Sequence, residues 1–207
     1  MNKLICILTA VFMLLAAVGC GGGEKKAEKK EAAPAAKQAE TLTKKAEAAP
    51  APVNGKVLVA YFSWGGTTRN VAKLIHEKTG GDIFEIKTET PYPKDYHQTV
   101  ELGKEEKAKN VRPKLAGQLP DLKQYDVIIL GYPIWWYIEP MAVKTFVEAQ
   151  DLSGKIVLPF ATSGGSDIGS SVTDLRKTLP KAQVKDGLLA NSTRDIDGWL
   201  KDNGVLK

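Results

Sequence analysis

Cysteine is almost absent from this 207-residue chain, which has Cys6 and Cys20 and none after them. Residues 21–207 can therefore form no disulfide with one another and can use no thiol as a nucleophile or metal ligand. Histidine is also scarce: His76 and His97 fall in polar stretches with helical character, and neither has a partner at metal-ligand spacing. We therefore expect no metal site, and a solvated surface position for each histidine.

Long apolar runs are limited to Leu4–Val18, which follows Lys3 and leads into the ending Ala17-Val18-Gly19-Cys20. A basic residue, a short apolar run and a small-residue ending are typical of an export signal, and the run is short for a membrane-spanning helix. The ending resembles a bacterial lipobox, in which signal peptidase cuts before a cysteine that is lipidated, although Ala17 stands where leucine is usual. We predict that residues 1–20 are a lipoprotein signal and that Cys20 is the lipidation site. A lipid there would anchor the protein in the cell envelope, on the periplasmic side if the organism has two membranes.

Large apolar side chains are nearly missing from residues 21–53, which are rich in alanine, lysine, glutamate and proline. Such a segment cannot bury enough surface to offset its chain entropy, so we predict a disordered tether. Residues 54–207 are long enough for one domain with its own core.

The predicted domain lacks a strong excess of either positive or negative charge. Residues 54–207 contain 21 basic and 19 acidic residues, a net charge of +2. A nucleic-acid site would need basic residues clustered on one face, so we expect no nucleic-acid partner.

Strand and helix signals alternate from residue 56 onward. Continuous apolar runs predict buried strands, and weaker signals predict two more, at residues 56–62, 125–131, 155–162, 82–88 and 187–190. Helical patterns predict a polar surface helix at residues 94–109 and other helices at 68–78, after Pro140, around 172–179 and after a cap at Ser192. Five strands alternating with helices predict an α/β fold with a doubly wound parallel sheet.

Three loops directly follow predicted strands, so we expect them at the carboxyl edge of the sheet, where open α/β folds bind ligands. The first loop has the sequence Ser63-Trp64-Gly65-Gly66-Thr67-Thr68. Its hydroxyls and glycine-rich backbone, placed at a helix N-terminus, are suited to surround an anion. The triphosphate pattern G-x-x-x-x-G-K-[ST] and the dinucleotide pattern G-x-G-x-x-G are both missing here. We therefore predict a phosphate cradle of a different kind.

The second and third loops are chemically complementary to the first. The second loop, Gly131-Tyr132-Pro133-Ile134-Trp135-Trp136-Tyr137, carries two indoles and two phenols. Such aromatics either cover the sheet edge or pack against a flat apolar ligand. The third loop, Thr162-Ser163-Gly164-Gly165-Ser166-Asp167, is small and polar enough to approach the edge of a ring. A phosphate, a flat ring and polar contacts at the ring edge together describe FMN.

These motifs resemble those of the flavodoxin-like family over essentially the whole of residues 56–205. Y-F-S-W-G-G-T-T is similar to the phosphate-loop signature Y-[FY]-S-x-T-G-N-T, with Gly65 in place of threonine and Thr67 in place of asparagine. G-Y-P-I-W-W is similar to the isoalloxazine loop of short flavodoxin-like proteins, and T-S-G-G-S matches their third loop. Tyr137 and Asp167 stand where relatives commonly have glycine. Asp167 would either touch the flavin edge or cap the following helix.

The resemblance implies strand order 2-1-3-4-5, with non-covalent FMN at the switch between strands 1 and 3. The implied cofactor-binding residues are Ser63, Trp64, Gly65, Gly66, Thr67, Thr68, Pro133, Ile134, Trp135, Trp136, Thr162, Ser163, Gly164 and Gly165.

The resemblance also implies a function in electron transfer, or in FMN-dependent reduction of a small or quinone-like acceptor. Family members that carry electrons are usually strongly acidic, so a domain of net charge +2 argues against a conventional carrier. The alternative is a binding module that keeps the fold without flavin. The sequence identifies no catalytic residue, redox partner or oligomeric state.

Replacing Cys20 by alanine should abolish lipid attachment without affecting the domain, because the predicted tether separates the two. Cells labelled with radioactive palmitate and then fractionated provide the measurement. Persistent label on the membrane-associated variant would contradict the lipoprotein assignment.

Overall fold

The structure, a computed structural model, describes residues 55–206. The predicted signal, tether and lipidation site, residues 1–53 with Cys20, lie outside the described residues. Within the described part, strands and helices follow one another as β1 Val57–Phe62, α1 Thr67–Thr79, β2 Asp82–Ile86, α2 Tyr96–Ala108, a short 3-10 helix Leu122–Gln124, β3 Val127–Pro133, α3 Met141–Glu148, β4 Ile156–Thr162, α4 Gly169–Thr178, β5 Gln183–Val184, β6 Leu188–Leu189 and α5 Ile196–Asp202.

The strands form one parallel sheet in the order β2-β1-β3-β4-β5, and β6 also pairs with β4. This order confirms the predicted doubly wound fold. Strands β1, β3 and β4 arise from the three continuous apolar runs because a strand covered on both faces needs an apolar residue at almost every position. Their pairing places the switch in strand order between β1 and β3.

Helices cover both faces of the sheet. Successive residues of a strand point to opposite faces, so Leu58 and Ala60 join the core with α3 and α4, whereas Val57 and Val59 join the core with α1 and α5. The two cores together give the three-layer arrangement.

The fifth strand differs from the prediction because it consists of two short pieces, β5 and β6, both beside β4. Lys185 N donates to Val157 O at 3.0 Å, and Ala190 N donates to Ala161 O at 2.7 Å. Alternate residues of a strand face the same neighbour, so Pro159 lies between these two acceptors on the side of the broken strand. Proline has no N–H to offer there. The gap between β5 and β6 therefore lies opposite Pro159, where β4 has no N–H to pair with a neighbouring strand. This explains how a proline is tolerated inside a buried strand.

The final helix begins later than the sequence pattern predicted. Its first residue is Ile196, after Asp195 at the N-cap, so the prediction of a cap at Ser192 is wrong. Ser192 Oγ instead accepts a hydrogen bond from Arg194 N at 3.3 Å and closes a turn. Serine favours such local turns as readily as helix caps, which makes the two indistinguishable in sequence.

The loops that follow β1, β3 and β4 all emerge at one edge, because parallel strands end at the same side of a sheet. Within residues 55–206, no helix is long and apolar enough to cross a membrane.

Gly131 on β3 has no room for a side chain. A Cβ there would lie 2.1 Å from Cζ of the fully buried Phe160. We expect Gly131→Ala to lower the free energy of unfolding by about 1–3 kcal/mol, the usual cost of overpacking.

Gly198→Ala is the matched control, because a Cβ at this position in α5 meets nothing within 4 Å. This change should raise the free energy of unfolding by up to about 1 kcal/mol, since alanine favours helix over glycine. Urea unfolding followed by circular dichroism measures both. Equal effects of the two substitutions would contradict the assigned packing.

Candidate functional site

A cavity of about 640 Å³ opens at the carboxyl edge of the sheet, between the loops that follow β1, β3 and β4. This volume lies in the range of small-molecule and cofactor sites. Gly66 and Gly165 belong to the predicted loops but do not line the cavity. The other predicted binding residues do line it: Ser63, Trp64, Gly65, Thr67, Thr68, Pro133, Ile134, Trp135, Trp136, Thr162, Ser163 and Gly164. The fold thus brings the three loops together, while the binding role of each residue stays a prediction.

The first loop turns sharply into α1. Gly66 is the N-cap residue with φ 92°, a left-handed conformation that glycine adopts without strain. Its N–H donates to Ser63 Oγ at 3.1 Å, so Ser63 shapes the turn. Thr68 is buried, and its hydroxyl lies 2.8 Å from that of Thr162 on β4, which ties the first loop to the third. Thr67 is exposed at the cavity and has no side-chain hydrogen bond to the rest of the described chain.

The second loop contains a two-residue hairpin turn. Trp135 N donates to Ile138 O at 2.9 Å, and Ile138 N donates to Trp135 O at 3.2 Å. The two residues between them, Trp136 and Tyr137, have φ of 51° and 73°. Two consecutive left-handed residues in a two-residue hairpin define a type I′ turn, which usually takes Asn-Gly. Tyr137 therefore occupies a position that suits glycine, but its side chain is 63% exposed and leaves the cavity unobstructed.

The two tryptophans of this loop have different surroundings. Trp135 packs edge-on against Phe62 and Tyr92, with ring centroids 5.6 and 5.0 Å away. A Cβ at Gly103 of α2 would lie 3.1 Å from Cε3 of Trp135, so the helix rests on this indole. Trp136 donates its Nε1 hydrogen to Val100 O at 2.9 Å. Trp135 is thus part of the packing between the loop and α2, whereas Trp136 is held to α2 by the hydrogen bond of its indole N–H.

The third loop is organised by Ser163 and Asn191. Asn191 Oδ1 accepts from Ser163 N, and Asn191 Nδ2 donates to Ser163 O, both at 2.8 Å. Ser163 Oγ accepts from Gly165 N and from Ser166 N. Asp167 does not line the cavity and accepts from Gly169 N at 2.8 Å, so its carboxylate caps the start of α4.

Sequence reasoning missed two parts of the wall. Asn191, in the loop after β6, lines the cavity, but a single amide in a polar loop carries no recognisable signal. Helix α2 contributes Tyr96, Thr99, Val100 and Gly103, although the polar pattern predicted only a surface helix. The helix faces the cavity with an aromatic, a polar, an aliphatic and a small residue, so no continuous apolar stripe appears in the sequence. The spacing of Tyr96, Thr99 and Gly103 at three- and four-residue intervals is the signal that remained.

The cavity wall is electrically neutral. Among the described residues that line it, none carries a carboxylate, an imidazole, an ammonium, a guanidinium or a thiol. Residues 55–206 also contain no group of three side chains arranged to hold a metal ion. Behind Trp135, the half-buried Tyr92 donates to Glu106 at 2.8 Å, and burial raises the pKa of both groups. Glu106 and Tyr92 thus help to hold α2 in place and do not line the cavity.

The profile of the flavodoxin family matches residues 56–203, which form most of the described chain. The chain belongs to the flavodoxin family. The fold expected from the resemblance is therefore shown by strand order and by family membership together.

Among solved structures, a protein from Bacteroides eggerthii that is assigned as a flavoprotein is 41% identical, with a TM-score of 0.68, and covers 74% of this chain and 100% of its own. A flavoprotein from Lactobacillus acidophilus, solved in complex with FMN, is 23% identical, with a TM-score of 0.60 and coverage of 70% and 98%. Flavodoxin 1 of Escherichia coli strain K12 is 26% identical over 118 residues, or 55% of this chain and 53% of its own. The chain thus spans about half the length of the curated relatives it matches.

The different surroundings of the two tryptophans predict different costs of removal. Trp135→Ala should lower the free energy of unfolding by about 3 kcal/mol or more, because it leaves a void between Phe62, Tyr92 and α2. Trp136→Ala should cost about 1 kcal/mol through its lost hydrogen bond to Val100. Urea unfolding of the two variants compares them directly. Equal losses, or a larger loss at Trp136, would show that the packing assignment is wrong.

Proposed function

We propose that this flavodoxin-family domain binds FMN without a covalent link and uses it in oxidation–reduction. The observation that carries the proposal is the cavity itself: an anion cradle, aromatic walls and a polar loop converge on a space without acids, bases or thiols. The wall has hydroxyls but no carboxylate, imidazole or amine beside them to act as a base and activate them as nucleophiles. This favours a bound cofactor as the source of the chemistry.

The donors present fit the phosphate of FMN. The turn at Gly66 directs the first loop into the positive end of the α1 dipole, and the hydroxyl of Thr67 is free within the described chain. Ser63 Oγ accepts from Gly66 N and keeps its own proton, and Thr68 shares a hydrogen bond with Thr162. Ser63 and Thr68 would therefore shape the cradle as well as face it, while Thr67 contributes a hydroxyl that is engaged by no other group of the described chain.

The remaining walls fit a flavin ring. Trp136 and Tyr96 offer aromatic surface at the cavity, and Gly164 leaves space beside it, since a Cβ there would meet nothing within 4 Å. Backbone groups of the third loop are held by Asn191 and can approach the polar edge of a ring. Bound FMN would supply electron transfer, and the chain would bind it, orient it and keep competing ionisable groups away. The FMN complex of the Lactobacillus acidophilus protein supports this reading of the fold.

We also propose that the domain is held at a membrane through lipid on Cys20 and the segment of residues 21–53. The motif Ala17-Val18-Gly19-Cys20 supports this anchor. A nearly neutral domain tethered in this way suits a reductase acting on a small or quinone-like acceptor better than a mobile acidic carrier. Anaerobic mixing of the FMN-loaded protein with NADH, NADPH or dithionite separates the two roles. Reduction by dithionite alone would favour the carrier.

Titration of purified protein with FMN and with riboflavin tests the cofactor and its orientation. Thr67→Val keeps the shape of the side chain and removes one charge-assisted hydrogen bond, so FMN affinity should fall by about 1.5–3 kcal/mol. This corresponds to about one to two decades in Kd at 1.4 kcal/mol per decade. Riboflavin affinity should hardly change, because riboflavin has no phosphate.

Thr173→Val, on the exposed side of α4, is the matched control and should leave both affinities unchanged. Flavin fluorescence reports both titrations. Equal losses for FMN and riboflavin in Thr67→Val would place the phosphate elsewhere. Failure of both flavins to bind the wild type would favour the flavin-free binding module.

A further inference from the structure

A short polar chain lies inside the apolar core next to the second loop. Tyr132, Glu139 and Ser171 are each no more than 1% exposed, and the core residues on this side of the sheet surround them. Tyr132 comes from the end of β3, Glu139 lies just before α3, and Ser171 lies in the first turn of α4. None of the three lines the cavity, so the proposed FMN site does not account for them.

The hydrogen bonds of this chain have a single consistent direction. Ser171 Oγ lies 2.5 Å from Glu139 Oε2 and 2.9 Å from Tyr132 Oη. A serine hydroxyl has one proton to donate. If Ser171 donates it to Glu139, the Tyr132 hydroxyl donates to Ser171, and all three groups are satisfied. The order is therefore from Tyr132 to Ser171 to Glu139.

The other oxygen of Glu139 indicates where a proton resides. Glu139 Oε1 is buried and has no hydrogen-bond partner among the described residues. Asp174 Oδ2 is also buried, and Lys144 Nζ lies 2.5 Å from it as an ion pair. An unpaired buried carboxylate oxygen is costly. A proton on Glu139 removes its charge and allows a hydrogen bond from Glu139 to Asp174.

The charges around the pair favour that arrangement. Burial raises the pKa of Glu139 to about 8, and the neighbouring Asp174 contributes to the rise, whereas Ser171 opposes it. Burial alone would also raise the pKa of Asp174, but the Lys144 ammonium and a hydrogen bond that protonated Glu139 would donate outweigh it and hold this pKa below its ordinary value. The proton therefore belongs to Glu139.

Three more charged groups lie around this pair: Lys177 of α4, Glu148 of α3, and Arg112, which is paired with Glu148. The Arg112–Glu148 pair is neutral, so Lys177 is the one that adds to the effect of Lys144 on Asp174. Tyr132 on β3 stays neutral, since burial raises its pKa.

The chain connects two loops of the cavity through the core. Tyr132 lies at the start of the second loop, and Glu139 directly follows Ile138, which closes the Trp136–Tyr137 turn. Ser171 belongs to the helix that follows the third loop. The hydrogen bonds therefore fasten both ends of the second loop to the continuation of the third.

We propose that Glu139 is a positioning residue whose carboxyl proton locks the second loop onto α4, so that loss of this proton loosens the loop and weakens FMN binding. The proposal rests on the proposed function for its effect on FMN, while its effect on the loop can be measured without any flavin. Ionised Glu139 would face Asp174 in a buried site, and relief of this repulsion requires movement of the backbone that carries both Ile138 and the turn.

Two measurements on the wild type and on Glu139→Gln test the lock. Glutamine keeps an acceptor for Ser171 and a donor for Asp174 but cannot ionise. The Kd of the wild type for FMN, divided by the Kd of Glu139→Gln, should stay constant from pH 6 to 7 and then increase. By pH 9 the wild type should bind FMN about tenfold more weakly than the variant. Ionisations of FMN itself cancel in this ratio. Glu77→Gln, on the exposed face of α1, should follow the wild type.

Hydrogen exchange supplies the reading that needs no FMN. The Ile138 amide, which is bonded to Trp135 O, should lose protection between pH 6 and 9 in the wild type and keep it in Glu139→Gln, after correction for the intrinsic rate. The free energy of unfolding of the wild type should also decrease as the pH rises. A carboxyl whose folded-state pKa is raised stabilises the fold below its unfolded-state value, and this contribution declines as pH rises to about 8, so wild-type stability should decline relative to the variant.

Ser171→Ala gives a second, directional test should Glu139→Gln not fold. This change removes both hydrogen bonds that fasten the loop to α4, so the Ile138 amide should be less protected than in the wild type even at pH 6. Because the hydrogen bond from Ser171 lowers the pKa of Glu139, the midpoint of the remaining pH dependence should also move to higher pH. Identical exchange of the Ile138 amide in the wild type and the variants at pH 6 and at pH 9 would overturn the proposal. A pH-dependent difference in stability without any change in the ratio of the Kd values would also overturn it. Absence of FMN binding to the wild type at every pH would instead contradict the proposed function, and the lock would then be decided by exchange alone.

Discussion

The parallel pairing of β1 with β3 is the constraint on which the site depends. Five residues of each strand are in register, and both strands are covered by helices on either face, so neither can shift without exposing apolar surface. The chain reaches β3 only after leaving β1 for β2 on the other side. This reversal leaves an opening between the loops after β1 and β3, and the third loop completes it because β4 pairs with β3 along its full length. The cavity is thus a result of topology, and the loop residues determine what it can hold.

Much of this arrangement could be predicted from the residues. Buried parallel strands require continuous apolar runs, which stand out in a sequence, and glycines and hydroxyls after such a run mark a helix N-terminus that is open to anions. The parts of the cavity wall that were missed have weak local signals. Helix α2 faces the cavity with Thr99 and Gly103, and neither residue forms an apolar stripe. Asn191 acts through two hydrogen bonds to a residue 28 positions away, which no local pattern reveals.

The distinction between Trp135 and Trp136 was also beyond sequence reasoning. The two residues are adjacent and chemically identical. They differ because the chain reverses direction at Trp136, which has a positive φ, whereas the side chain of Trp135 packs beneath Gly103 of α2.

The burial of Glu139 could not be predicted from the sequence either. A glutamate before a proline suggests a solvated helix start, and only the fold shows that it lies in the core beside Ser171 and Asp174. Buried polar groups of this kind depend on long-range contacts, so the sequence around them carries little information about their state.

The interrupted fifth strand has a consequence for the protein at high concentration. An exposed sheet edge is a template on which another chain can add a strand, and long flat edges lead to aggregation. Here one edge is divided into two pairs of residues, β5 and β6. Beyond the end of the opposite edge strand, β2, the backbone of Lys87 and Glu89 is bonded to Ala116 and Lys114 of a following segment. Within residues 55–206, the edge at β5 and β6 therefore offers two short templates, and the edge at β2 offers one of five residues that ends where Lys87 bonds to Ala116. Copies of this domain crowded together could add a strand only over these short stretches.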